Sequence, residues 1–123
     1  MTAHPHTVGQ EQTMGFAHAL MRKHGIRHLP VLHSGKVVGM VSVRDLHLVE
    51  TLPDVNPEET RVEEAMSTDV YVVAPDVPLA DVADVMATRK LGSAVIVDHG
   101  VVTGVFTTTD ALHALVTALR PPG

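Results

Sequence analysis

The sequence predicts a mixed α/β fold in which one β-α-β-β-α unit is used twice. Three observations carry that expectation. A single gap-free offset of 65 residues lays the first half on the second. Each half sets one helical apolar period ahead of two short apolar runs. A short glycine-containing turn separates the two runs of each half, the mark of a β-hairpin.

The offset pairs Gly39-Met-Val-Ser-Val-Arg-Asp45 with Gly104-Val-Phe-Thr-Thr-Thr-Asp110. It also pairs Gly35 with Gly100, Ile26 with Leu91, Met21 with Met86, Met14 with Leu79 and Val8 with Val73. The register runs from Val8 to Val49. The first copy is placed at residues 5–52, the connector at 53–61 and the second copy at 62–121. Pro53-Asp-Val-Asn-Pro-Glu-Glu-Thr60 is rich in turn formers and charge, as an irregular connector should be.

Each copy opens on a short apolar strand, Thr7-Val8 or Val70 to Val73. A helix follows. Leu79, Val82, Ala83 and Met86 fall at i, i+3, i+4 and i+7, and Met14, Ala17, His18 and Met21 take the matching face. Thr13 is placed to cap the first helix, and Pro78 sits where a first turn tolerates proline. Strands over Leu29 to Leu32 and Val37 to Val41 flank Ser34-Gly35. Strands over Ala94 to Val97 and Val101 to Phe106 flank His99-Gly100. A second helix closes each unit, from Ser42 to about Leu52 and from Thr107 to about Leu119, before Pro121-Pro122. Three short strands and two helices cannot cover both faces of a sheet, so copy is expected to pack on copy.

Composition limits function. The chain has 123 residues, enough for one compact domain that buries roughly two-thirds of its unfolded surface. With no cysteine, disulfides, thiolate catalysis and cysteine-based zinc sites are excluded. No apolar run approaches the roughly 20 residues of a membrane span. Met1-Thr2-Ala3-His4-Pro5-His6 has no basic-then-apolar signal pattern, so a cytoplasmic protein is expected. A net charge of −5 with one Tyr, two Phe and no Trp argues against nucleic acid.

Catalytic machinery is not expected. Neither Ser67 nor Ser93 lies in a nucleophile elbow, and Gly35-Lys36 lacks the first glycine of a phosphate loop. Glu58-Glu59 and Glu63-Glu64 belong to polar connecting segments. Nine histidines are many for this length. His24 and His28 are spaced i, i+4, but Gly25 between them ends the helix that such a ligand pair needs. His4 and His6 belong to the N-terminal tail. His18 lies on an apolar helix face where the second copy has Ala83, and is read as a satisfied or interfacial residue. No compact ligand set of known spacing appears, so no metal is expected.

Ser42-x-x-Asp45 and Thr107-x-x-Asp110 have the spacing of a capping box. A helix start also presents N–H groups that favour anions, so capping and binding are compatible. Arg27, His28 and Arg44 are cationic candidates for phosphate. Their counterparts in the second copy are Gly92, Ser93 and Thr109, so the basic groups belong to the first copy alone.

These motifs together resemble the cystathionine-β-synthase (CBS) domain pair, or Bateman module. Leu29-Pro30-Val31 after Leu20-Met21, the two Gly-x-x-Ser/Thr-x-x-Asp segments, Ala74-Pro75-Asp76 with Leu79, and Val62-Glu-Glu-Ala-Met66-Ser67 carry the resemblance, which spans residues 5–119. Gln10-Glu11 departs from the family's frequent Pro-Asp, and Gly92-Ser93-Ala94-Val95 from its Leu-Pro pattern. The resemblance implies a pseudo-twofold pair with clefts between the copies. It implies AMP, ADP, ATP or S-adenosylmethionine as a regulatory ligand there, with no cofactor required. Ser42 and Thr107 would donate to ribose or phosphate, and Asp45 and Asp110 would accept from ribose hydroxyls. The backbones of Thr7, Val8, Val72 and Val73 would line the adenine slot. The resemblance further implies a homodimer that regulates a separate enzyme or transporter, with or without a bound ligand.

Overall fold

The structure, a computed structural model, describes Thr2, Ala3 and residues 5–121. Met1, His4 and Pro122, named above, lie outside the described residues. In chain order the elements are β1 (Thr2–Ala3), β2 (Val8–Gly9), α1 (Met14–His24), β3 (His28–His33), β4 (Lys36–Ser42) and α2 (Val43–Glu50), then a 3-10 turn at Val62–Glu64, and β5 (Val72–Val73), α3 (Leu79–Arg89), β6 (Ser93–Asp98), β7 (Val101–Thr107) and α4 (Thr108–Leu119). From β2 and from β5 the order is β-α-β-β-α, twice.

Local chemistry explains the boundaries. Thr13 caps α1, its side chain accepting from the Phe16 N–H at 3.2 Å. The connector supplies two more acceptors to this helix start: Met14 N–H donates to the Thr60 carbonyl at 2.8 Å and Gly15 N–H to the Pro57 carbonyl at 2.9 Å. The orphan donors of α1 are therefore satisfied within the protein. The helix stops at Gly25, whose φ of 62° is left-handed, and the Ile26 N–H returns to the Met21 carbonyl. In α3 the same stop falls on Lys90 at φ 58°, with Leu91 N–H on the Met86 carbonyl.

Both hairpins turn on two residues with positive φ, Ser34 (52°) with Gly35 (78°) and His99 (49°) with Gly100 (80°). That is the type I′ geometry whose twist matches the flanking strands. Each hairpin gains a short parallel edge strand. Val8 lies opposite Val31, and Val73 opposite Ile96, in the same register once the repeat offset is applied. The sheets run β2-β3-β4 and β1-β7-β6-β5.

One feature was not legible in the sequence. Thr2 pairs with Val105 on β7, and Ser67 pairs with Met40 on β4. The offset of 65 converts one pair into the other. Each sheet therefore takes its outer edge from the segment that leads into the opposite copy. Gly39 serves this approach and not a tight turn, because it lies inside β4. A Cβ there would stand 2.9 Å from the Ser67 carbonyl oxygen.

The chain forms two compact units, His6–Val70 and Met1–Pro5 with Tyr71–Gly123. The first is centred on Met14, Met21, Leu29, Val31, Val41 and Leu46, all buried, and Val62 from beyond the connector joins this core. The repeat boundary and the packing boundary thus differ: residues 62–70, placed in the second copy by the sequence, pack with the first. The second unit is centred on Val82, Met86, Ala94, Ile96 and Phe106. No residue of α4 is buried.

Candidate functional site

The site begins where β4 becomes α2. Ser42 ends the strand in an extended conformation and caps the helix. Its Oγ accepts from the Asp45 N–H at 3.1 Å, while the Ser42 N–H donates to Asp45 Oδ2 at 2.9 Å. This reciprocal pair satisfies two groups that a helix start would otherwise leave open. Val43 N–H donates to the Arg27 carbonyl at 3.0 Å. Asp45 Oδ1 and the Arg44 N–H have no hydrogen-bond partner among the described residues.

The hairpin register brings the rest of the first-copy set to the same place. His28 opens β3 directly opposite Ser42. Arg27 precedes it, and Arg44 lies in the first turn of α2; both are exposed. Neither arginine forms a salt bridge among the described residues. Arg27, His28, Ser42, Arg44 and Asp45 are thus gathered at one end of one sheet. Burial holds the His28 imidazole below its usual pKa, with the Arg27 charge pulling the same way and the Asp45 carboxylate opposing.

The second copy repeats the scaffold with different chemistry. Thr107 Oγ1 accepts from the Asp110 N–H at 3.2 Å, and the Thr107 N–H donates to Asp110 Oδ2 at 2.9 Å. Thr107 Oγ1 also donates to that carboxylate oxygen at 3.1 Å. Thr108 N–H donates to the Gly92 carbonyl, the counterpart of the Arg27 bond. Ser93 faces Thr107 across the hairpin as His28 faces Ser42. No cation occupies the matching positions, which hold Gly92, Ser93 and Thr109.

The four candidates for the adenine slot divide by exposure, and Thr7 lies just before β2 and not in it. The Val8 side chain is 2 % exposed and Val73 8 %, so both side chains belong to the core. Thr7 is half-buried and Val72 exposed. β2 and β5 are edge strands of their sheets. Each therefore has one side of backbone polar groups free of a neighbouring strand, the kind of surface that can meet a planar base edge.

A further cluster escaped sequence reasoning. His18 of α1 and His47 and Glu50 of α2 bring three possible ligand atoms within 4.8 Å of one another. The available signal was His47-x-x-Glu50, two groups on one helix face. The third member is remote in sequence and arrives only through packing of α1 on α2.

No helix among the described residues is long and apolar enough to cross a membrane. The β-α-β-β-α unit used twice defines a duplicated α/β module, and comparison with known proteins gives its family. The CBS domain model matches residues 1–49 and 62–117, so the chain belongs to the CBS domain family. The CBS domain-containing protein YhcV of Bacillus subtilis (strain 168) is 32 % identical over 105 residues, covering 85 % of this chain and 74 % of YhcV. A crystal structure of a Vibrio cholerae protein named for acetoin utilization (AcuB) is similar at 34 % identity and a TM-score of 0.82, over 99 % of this chain and 94 % of that one. The CBS domain pair of protein MJ0100, in complex with 5′-methylthioadenosine and S-adenosyl-L-methionine, is similar at 25 % identity and a TM-score of 0.79, over 93 % of each chain.

Proposed function

We propose that the chain is a non-catalytic regulatory module that binds an adenosine-containing ligand, and that the first copy's cationic end selects a phosphorylated one. The observation that carries this reading is the convergence of Arg27, His28, Ser42, Arg44 and Asp45 at the start of α2. Asp45 Oδ1 has no hydrogen-bond partner among the described residues and suits a ribose hydroxyl, since a carboxylate accepts strongly from such donors. The exposed Arg27 and Arg44, at the same end of the sheet, suit phosphate oxygens, which guanidinium groups can meet through paired N–H bonds. The edge backbones of Thr7-Val8 and Val72-Val73 are the candidates for the base. The adenosine compounds in the MJ0100 complex support the ligand class.

A ligand changes the module's state only through a difference in affinity between two arrangements. At 100 times its dissociation constant it also stabilises the fold by about 2.7 kcal/mol. For a chain of this size, that corresponds to a Tm rise on the order of 10 °C. The experiment is a thermal-shift titration with AMP, ADP, ATP and S-adenosylmethionine, in wild type and in Asp45→Asn, which leaves an acceptor for the cap. Saturable stabilisation that Asp45→Asn weakens is expected. A flat response to every adenosine compound at millimolar concentration contradicts the reading.

One observation favours a second reading, a ligand-free homodimeric interaction module that regulates a separate enzyme or transporter. Leu112, Leu115, Val116 and Leu119 of α4 are 46–74 % exposed. Apolar groups clustered on one helix are characteristic of interaction surfaces. Sedimentation of the wild type and of Leu115→Glu separates the readings: a dimer lost on substitution, with flat nucleotide titrations, supports the second.

A further inference from the structure

We propose that His18, His47 and Glu50 form a binding site for a borderline transition-metal dication of the Zn2+ class, clamping α1 to α2 in the first copy. His18 Nε2 lies 3.0 Å from Glu50 Oε1. Two donors held about 2.0–2.1 Å from a tetrahedral ion stand about 3.3 Å apart, so this pair is already spaced for a shared ion. The rings of His18 and His47 are 5.3 Å apart between centroids. All three ligand atoms lie within 4.8 Å of one another, and His47 is exposed, so its imidazole has room to close the remaining distance.

The state of His18 points the same way. Its side chain is 17 % exposed, and Nε2 is buried with no hydrogen-bond partner among the described residues. Glu50 Oε1 is near enough for a bond, but the two are not aligned for one. A buried polar nitrogen without a partner is unfavourable, and in the tautomer that carries its proton on Nδ1 the Nε2 lone pair can bind a metal ion.

The donor set selects the ion. Two imidazoles and one carboxylate suit Zn2+ or Co2+, with a fourth position for water. Mg2+ and Ca2+ prefer oxygen donors alone and are poorly matched. The site belongs to one copy. The offset of 65 places Ala83, Leu112 and Leu115 at the three equivalent positions, none able to ligate. The proposal is independent of the nucleotide reading, because none of its three residues belongs to the set at the start of α2.

The test is a zinc titration of the untagged 123-residue chain by calorimetry, paired with the visible spectrum of the Co2+ form. One tight equivalent per chain and a tetrahedral Co2+ spectrum are expected. His47→Ala and Glu50→Gln should each weaken binding at least 10–100-fold, roughly the loss that even changes around a ligand shell can bring. Both positions keep some exposure, and the metal-free melting curve of each variant checks that the fold persists. His24→Ala, which alters the histidine stacked on His6, should leave binding unchanged. Absence of a tight equivalent in the wild type overturns the proposal, as does a tight equivalent that survives both His47→Ala and Glu50→Gln.

Discussion

The two copies share a backbone and differ in what they place upon it. Both have the I′ turn, the parallel edge strand, the left-handed helix stop and the reciprocal cap at the second helix. They part at the end of the hairpin, where Arg27, His28 and Arg44 stand against Gly92, Ser93 and Thr109. They part again on the helix pair, where His18, His47 and Glu50 stand against Ala83, Leu112 and Leu115. The turn glycines Gly35 and Gly100 and the capping pairs Ser42–Asp45 and Thr107–Asp110 match in type, whereas Ser34 and His99, and Gly25 and Lys90, reach equivalent backbone states with different side chains. The first copy therefore carries the cationic and histidine-rich positions, and the second the helix with exposed apolar residues.

The sharpest way to break this comparison is to truncate equivalent helices. Leu46 is fully buried, whereas Leu112, one position beyond its counterpart Ala111, is 60 % exposed. Leu46→Ala should cost about 2–5 kcal/mol in urea unfolding, and Leu112→Ala at most about 0.5 kcal/mol. Similar losses at the two sites would mean that α4 is buried in solution, as in an assembly.

The caps should respond alike. Ser42→Ala and Thr107→Ala each remove the acceptor for an N3 amide, and each should cost about 0.5–2 kcal/mol. Denaturant midpoints that fall for one copy and not the other would show that the two starts are held differently. A smaller effect separates the helix stops. Lys90 adopts the left-handed conformation that Gly25 occupies without strain. That conformation costs a side-chain-bearing residue about 1–2 kcal/mol, offset in part by the chain entropy glycine loses. Lys90→Gly should therefore raise stability by about 0.5–1 kcal/mol.

The pH response belongs to the first copy. Because burial lowers the His28 pKa, the folded chain resists a proton that the unfolded chain accepts. Stability should thus decline as pH falls below about 6.5, the value of an unfolded histidine, and the decline should be shallower in His28→Gln. Melting curves between pH 7.5 and 5.5, compared as wild type minus variant, provide the check. A phosphate bound nearby would favour the charged imidazole and reverse part of this loss.

Much of the scaffold was legible because its signals are local. Ser34-Gly35 and His99-Gly100 mark turns within two residues, and Ser42-x-x-Asp45 marks a helix start within four. The edge exchange was not legible, since Thr2-Ala3 and Ser67 form contacts too short to show an alternating pattern. The connector's role was hidden for a related reason: the Thr60 and Pro57 carbonyls act through backbone atoms that any residue carries. At the candidate site, sequence placed Ser42, Asp45, Thr107 and Asp110 at helix starts, and their capping bonds are present. The His18–His47–Glu50 cluster needed the packing of two helices, which spacing alone does not reveal.

The central claim is that the first copy's cations choose a phosphorylated adenosine ligand. Calorimetric titration with AMP and with 5′-methylthioadenosine, in wild type and in the Arg27→Gly, Arg44→Thr double variant that carries the second copy's residues, tests it most directly. A loss of AMP affinity of at least about tenfold is expected, equivalent to about 1.4 kcal/mol, with the uncharged compound little affected. Equal AMP affinity in the two proteins, or no binding of either compound, would contradict the account.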